Sequence, residues 1–243
     1  MTLNDSAYKS LSRRLHENLR QIIAITEPGE RLPSEPKLAK QLGVSRATLR
    51  EAMRIFETQG LIHRRQGVGT FVIHPSQVIE TGLEVLESIH TMAERIGLPV
   101  EMGTYQIDLR PAKEKEVGIF GFEEGTNVVQ VNWVMEAESR PVAFLVDIVP
   151  ESILSLKVIQ QEFNGSILDL LLEKSGIPLS TSRSEINAVA AQSDIARALG
   201  IQRGDVVLFF EAVLYSAEGR AVDYSYSYYL PGYFKFHVIR RVG

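Results

Sequence analysis

The chain has 243 residues, no cysteine and a formal net charge of −4, and 44% of its residues are apolar. That length fits two modal domains with real cores, while the lack of cysteine removes disulfides, thiolate metal sites and cysteine nucleophiles together. No apolar run approaches the ~18 uncharged residues of a membrane span, and the N-terminus MTLNDSAYKS has neither the basic nor the apolar region of a signal peptide, so a soluble cytoplasmic protein is expected. The net charge conceals a division. Residues 1–75 hold 12 Lys+Arg against 7 Asp+Glu, a net +5, and residues 76–243 hold 14 against 23, a net −9. Only the first part has the electrostatic footprint of a nucleic-acid binder.

Tyr8, Leu11, Leu15, Leu19 and Ile22 mark one face of a first helix over residues 6–25, and Thr26-Glu27-Pro28-Gly29 is a turn. Ser34 is an N-cap signal, Glu35-Pro36 suits a first helical turn, and Leu38 and Leu42 face inward before Gly43 stops the helix. Ser45 caps the next helix, where Leu49, Ala52, Met53 and Phe56 fall at i, i+3, i+4 and i+7. Arg46, Arg50 and Arg54 step by four along another face. Leu61–Val72 reads as a hairpin with a basic, glycine-rich tip, Arg64-Arg65-Gln66-Gly67-Val68-Gly69. A lone serine cap, or an arginine stripe beside Glu51 and Glu57, is ordinary solvated helix surface. The ordered combination is the winged helix-turn-helix design for DNA.

Residues 32–72, with LPSE, GVSRATLREAM and RRQGVGTFV, resemble the winged helix-turn-helix of GntR-family bacterial transcription regulators. Arg46 and Arg50 are the expected base-edge readers. Ser45, Thr48 and the amides at that helix start are expected to hold phosphate, joined by Ser34 and Lys37, while Arg65, Gln66 and Gly67 bring the wing to the minor groove. Family members often carry a DNA-touching Arg where this chain has Pro36, and Lys37 is the candidate substitute.

His74-Pro75-Ser76 closes the wing, and Gly82–Ile96 looks helical, with Leu83, Leu86, Ile89 and Ala93 on one face, so residues 76–97 are expected to form a linker helix stopped by Gly97-Leu98-Pro99. Beyond it the texture becomes β-branched and aromatic, and an internal repeat appears. Gly121 to Gly125 before Asn127-Val128-Val129 matches Gly200 to Gly204 before Val206-Val207-Leu208. Each leads into a long strand, a turn (Glu138-Ser139-Arg140; Ala217 to Arg220) and a second strand ending at Pro150 or Pro231. Each copy is a short helix feeding a hairpin, and the copies are expected to share one antiparallel sheet. The fold class is therefore α+β, with a winged helix-turn-helix domain over 1–75 and an antiparallel-sheet domain over 98–243.

Arg140-Pro141-Val142-Ala143, Gly165-Ser166-Ile167-Leu168, Ala196 to Gly200, Tyr224 to Tyr229 and Phe236 to Arg241 extend the resemblance to the HutC subfamily, whose UTRA effector-binding domain is similar to the chorismate lyase fold. That resemblance implies a ligand-responsive regulator, a repressor, homodimeric on a pseudo-palindromic operator. In relatives that bind phosphorylated sugars, arginines of the first long strand and a helix-opening serine grip the phosphate. Ser166 matches the serine, but Trp133 and Met135 stand where the arginines would be, and Leu145 stands for a hydroxyl-binding glutamate. Asp223 and Tyr229 match polar positions of the last hairpin, and Arg183 is a further pocket cation. The departures suggest an apolar or aromatic effector with one polar or anionic end near Ser166 or Arg183. Ser166 as a plain helix cap, and Tyr224 to Tyr229 as an edge strand, remain alternatives. No cofactor is implied. Nucleophile-elbow, P-loop, dinucleotide and zinc-protease patterns are absent, and Glu87-x-x-His90 offers one pair at i, i+3 where a metal needs more ligands. Enzymatic activity on a chorismate-lyase-like fold, or an architectural DNA binder without effector, are the alternative readings.

Overall fold

The computed structural model describes residues 3–27, 29–58, 61–65, 67–72, 79–95 and 98–238. The chain divides into two compact units, Met1–Val78 with Pro231–Tyr233, and Ile79–Leu230 with Phe234–Gly243.

The first unit contains α1 (Leu3–Ile25), α2 (Glu35–Leu42), α3 (Arg46–Thr58), β1 (Ile62–Arg65) and β2 (Gly69–Val72). Leu15, Leu19, Leu38, Leu49, Met53, Phe56 and Ile62 close one core, in the spacing that the apolar residues predict. Tyr8 and Leu11 lie outside the described side chains. The α2–α3 turn works because Gly43 takes a left-handed backbone, φ 66°, which an L side chain resists. Ser45 Oγ then accepts from Thr48 N at 3.1 Å and starts α3. Strands β1 and β2 pair antiparallel from Ile62↔Val72 to Arg65↔Gly69. Backbone bonds from Leu32 N to Thr70 O (2.8 Å) and from Val72 N to Glu30 O (2.9 Å) bind this wing to the segment before α2.

The second unit holds β3 (Ile79–Gly82), α4 (Ile89–Arg95), β4 (Val100–Pro111), α5 (Glu114–Phe120), β5 (Asn127–Ala137), β6 (Arg140–Pro150), α6 (Leu156–Glu162), α7 (Ile167–Lys174), β7 (Leu179–Ala190), α8 (Ser193–Leu199), β8 (Val206–Ser216), β9 (Ala221–Tyr229) and β10 (Phe234–His237). Its main sheet runs β4-β5-β6-β9-β8-β7. The repeat is thus a strand, a helix and a hairpin, and the two copies meet where β6 pairs antiparallel with β9, Ala143↔Tyr229 to Ile148↔Tyr224. Each short helix packs beneath the other copy, α5 on β9 and α8 on β6. Phe120 of α5 shares a core with Val128, Val146, Ile148 and Tyr224. Arg110 forks onto buried Glu116, Nη1 to Oε2 at 2.7 Å and Nη2 to Oε1 at 2.6 Å, tying α5 to β4. Tyr224 to Tyr229 lie in a central strand, not an edge strand.

The linker departs from the expected helix. Residues 79–82 form a strand parallel to β10, Phe234↔Ile79 to His237↔Gly82, and among the described residues of the linker only Ile89–Arg95 is helical. Ser88 Oγ accepts from Thr91 N at 3.1 Å, and this cap starts the helix a turn and more after Gly82. The pairing partner lies about 150 residues away, where no local periodicity reports it.

Because Phe56 is 1% exposed at the centre of the first core, Phe56→Ala should cost that unit about 3–5 kcal/mol. Urea titration followed by circular dichroism should show an early loss of helix signal, with the β-sheet transition unmoved.

Candidate DNA-binding face and ligand cavity

Helix α3 buries Leu49, Ala52, Met53 and Phe56, which turns its arginine face outward. Arg46, Arg50, Arg64, Arg65 and Arg31 surround one concavity of about 670 Å³, with Ser34, Glu35, Pro36, Glu57 and Gly67 also in its wall. Five cations face two carboxylates there. Glu35 accepts from Arg50 Nε at 2.6 Å and lies 3.7 Å from Arg64 Nε, so one carboxylate positions arginines from helix and wing. Arg65 rests over the Phe71 ring at 5.3 Å. A Cβ at Gly69 would stand 2.2 Å from Arg31 Nε, so glycine there lets Arg31 lie across the wing.

Of the residues proposed for DNA, Ser34, Arg46, Arg50, Arg65 and Gly67 line this concavity. Ser34 sits at the cap of α2 but makes no capping side-chain bond. Ser45 and Thr48 are hydrogen-bonded to each other at 2.8 Å at the start of α3. Lys37 is exposed on α2, outside the concavity, and Gln66 lies outside the described residues. Arg31 and Arg64 also line the concavity; Arg64 was read only as part of the basic wing tip, and Arg31 was not singled out. Arg31 precedes the helix-turn-helix, and only the isolated bridge Arg31↔Phe71 brings it beside the wing.

The second unit has a cavity of about 150 Å³ on the sheet face opposite α5. Alternation selects its floor. Phe144, Val146, Ile148, Tyr224 and Tyr226 point to the α5 side, and Leu145, Asp147, Asp223, Ser225, Ser227 and Tyr229 to the other. Trp133, Phe210, Ala212, Leu214, Ser182 and Ser184 extend this floor, and Gly165 to Leu168 with Leu86 to Ile89 wall it. A second concavity, about 470 Å³, shares Leu86, Glu87, Ile89, Ser182, Ser184, Phe210 and Tyr229 with it.

Two carboxyls stand together in the floor. Burial pushes Asp147 up to about 7, only partly countered by the Trp133 indole. Burial first, and the charge of Asp147 second, push Asp223 well above the usual carboxylate range, although Ser225 and the Ile148 amide steady its anion. Asp223 Oδ1 and Trp133 Nε1 are buried without a hydrogen-bond partner. Burial also raises the Tyr229 phenol to about 12, so it remains a donor.

Trp133, Leu145, Ser166, Asp223 and Tyr229, five of the proposed effector residues, are in the cavity wall. Two are not. Met135 is 1% exposed in the core and outside the wall. Arg183 falls between the cavity-facing Ser182 and Ser184, so the two-residue strand period turns it away, into a 2.9 Å pair with Glu185. The cation proposed for the pocket is therefore absent from it. Ser166 caps α7, accepting from Asp169 N at 3.0 Å, while still lining the cavity. Asp147, Ser182, Ser184, Ser225 and Ser227 were missed, although Asp223-x-Ser225-x-Ser227-x-Tyr229 is a visible period-two polar stripe. Glu87 precedes α4, in the cavity wall, and His90 lies within that helix.

The profile of the gntR family of bacterial regulatory proteins matches residues 7–72, and that of the UTRA domain matches residues 96–235. The chain belongs to the GntR family, with a UTRA domain. It is 30% identical over 203 residues to the HTH-type transcriptional repressor NagR of Bacillus subtilis, covering 84% of this chain and 82% of that protein. It is 26% identical over 185 residues to the histidine utilization repressor of Pseudomonas putida, covering 74% and 71%. The fold is that of PhnF from Mycobacterium smegmatis, TM-score 0.63 at 21% identity, over 94% of this chain and 100% of that one. This HutC-like protein is thus a transcription regulator with an α+β effector domain. No described helix is long and apolar enough to cross a membrane.

The raised carboxyls set a pH dependence. An acid whose folded pKa is raised binds its proton more tightly when folded, so its contribution to stability falls as pH rises from the unfolded value toward and through the folded one. Glu116 and Glu211 are lowered, so their stabilisation is lost only under more acidic conditions. The melting temperature should therefore decline from about pH 5 to about pH 8. The double variant Asp147→Asn with Asp223→Asn should flatten that decline in scanning calorimetry.

Proposed function

We propose that this protein is a cytoplasmic repressor whose residues 1–75 bind a pseudo-palindromic operator and whose residues 98–243 dimerise and bind a small effector. The carrying observation is the ring of five arginines around one concavity, built from the start of α3, the wing and the segment before α2. Arg46 and Arg50 read base edges in the major groove. The α3 start with Ser45 and Thr48, aided by Ser34 and Lys37, holds phosphate. The wing, through Arg65, Gln66 and Gly67, reaches the minor groove, and Arg31 and Arg64 add backbone charge. Glu35 holds the Arg50 guanidinium before DNA arrives.

A 150 Å³ cavity walled by Trp133, Leu145, Phe210 and Leu214 supports an effector with an apolar or aromatic body. Its wall at Leu86 to Ile89 directly follows, in the chain, the connection to the DNA-binding unit. An effector that contacts this wall changes that connection and alters operator affinity. A non-regulatory role has no comparable support, since the named relatives are transcription regulators.

Arg50→Ala should lower operator affinity by ~1–3 kcal/mol in a gel-shift titration, with the circular dichroism spectrum unchanged. If the wild-type chain shows no salt-dependent binding to the DNA upstream of its own gene, the regulator reading fails.

Two-fold symmetry doubles the few base contacts of one winged domain. Edge strands β4 and β7 expose Leu109 and Ile186, each 42% accessible, as apolar surface for a second copy. Sedimentation velocity of the full chain at roughly tens of micromolar should give a dimer; a monomer there removes the dimeric operator scheme.

A further inference from the structure

Every ionisable group in the wall of the 150 Å³ cavity, apart from the phenol of Tyr229, is a carboxylic acid: Glu87, Asp147 and Asp223. The adjoining concavity adds Glu84, and neither wall contains Lys, Arg or His among the described residues. An anionic ligand would be desolvated there without a countercharge and beside two carboxyls, at high cost. Two buried polar atoms point to a missing guest. Asp223 is 6% exposed with Oδ1 unpartnered, and Trp133 is 4% exposed with its indole N–H turned to Asp147 without closing a well-formed hydrogen bond. Buried polar atoms of a native fold normally find partners, so this pair asks for a ligand that brings a donor and an acceptor. Around them Leu145, Phe210, Leu214 and the Trp133 ring are apolar.

We propose that the effector is a small organic cation, an amine, amidine or guanidine on a short apolar or aromatic body, whose charged head is held by Asp147 and Asp223. The hydroxyls of Ser225 and Ser227 flank the head on the same strand face. The Trp133 N–H donates to an acceptor on the ligand. A bound cation favours the ionised form of both carboxyls and offsets the repulsion between them, which makes binding charge-selective. This inference rests on the effector-domain reading above, and it replaces the anionic end expected from Arg183.

The test is thermal-shift titration of the full chain near neutral pH with guanidinium, benzamidine, histamine and putrescine at millimolar concentration. Acetate, benzoate, succinate and a hexose phosphate serve as anionic counterparts, and benzyl alcohol as a neutral one. At least one cation should raise the melting temperature, while no anion does. Asp223→Asn should weaken that cation about ten- to a hundredfold, the loss expected of one charge-assisted hydrogen bond. Asp147→Asn serves as the second variant should the first not fold. The inference falls if no cation of the panel binds, or if an anion or benzyl alcohol binds as tightly. Gel shifts on the same preparation separate the two readings. Salt-dependent DNA binding with an anion-selective cavity sinks only this inference, and a cation-selective cavity without DNA binding sinks only the regulator.

Discussion

The β6–β9 pairing is the constraint on which the second unit depends. A helix followed by a hairpin cannot cover both faces of its own strands, and two such copies solve this by joining at their inner strands. The joint creates six strands with two layers of neighbours: α5 and α8 below, the α7 start and the Leu86–Ile89 segment above. Swapped packing of the helices, each under the other copy, means that neither repeat has a complete core alone. The cavity sits on the joint itself, and its two carboxyls come one from each repeat, Asp147 on β6 and Asp223 on β9. Like charges that would be harmless in separate domains are thereby forced together by the fold.

Much of this was legible in the residues. The helix-turn-helix and wing were readable because their signals are local: Ser45, Gly43, a four-step arginine stripe and an i, i+3, i+4, i+7 core. The shared sheet was readable because the glycines, turns and prolines recur at nearly constant offset. Its outer strands β4 and β7, which complete each repeat, were not read as part of it. The helix expected over Gly82–Ile96 failed for a physical reason. Apolar residues at 83, 86, 89 and 93 have helical spacing, yet Leu83 and Leu86 are exposed, and 79–82 are claimed by β10. Pairing between distant segments overrides a short periodic pattern.

The cavity was half legible. Matching positions along the chain found Trp133, Leu145, Ser166, Asp223 and Tyr229, but position alone cannot say which sheet face a strand residue takes. Arg183 shows the cost, since one residue's difference along β7 separates the cavity from solvent. Asp147 was invisible for the converse reason: in Phe144-Leu145-Val146-Asp147-Ile148-Val149 it looks like one acid in an apolar strand. Only the pairing Asp147↔Ser225 places it beside the polar stripe of β9.

The same geometry limits how a ligand can be felt at the DNA. A ligand shifts an equilibrium only through contacts that differ between the two states. The sheet floor is a hydrogen-bonded, two-sided core and has little freedom to change. The Leu86–Ile89 wall differs: Leu86 is 51% exposed, and the segment is anchored chiefly by Ser88, which donates to Asp169 Oδ2 at 2.8 Å. A hydrogen bond to a charged group contributes about 1.5–3 kcal/mol, the scale of a typical allosteric coupling. The Asp169 amide N–H also donates to Ser166 Oγ in the opposite wall. A guest that pulls on Ser166 therefore acts on this tie, in the segment that follows the connection to the DNA-binding unit. In the proposed scheme the floor selects the ligand by charge, and the wall converts its arrival into a change along the chain.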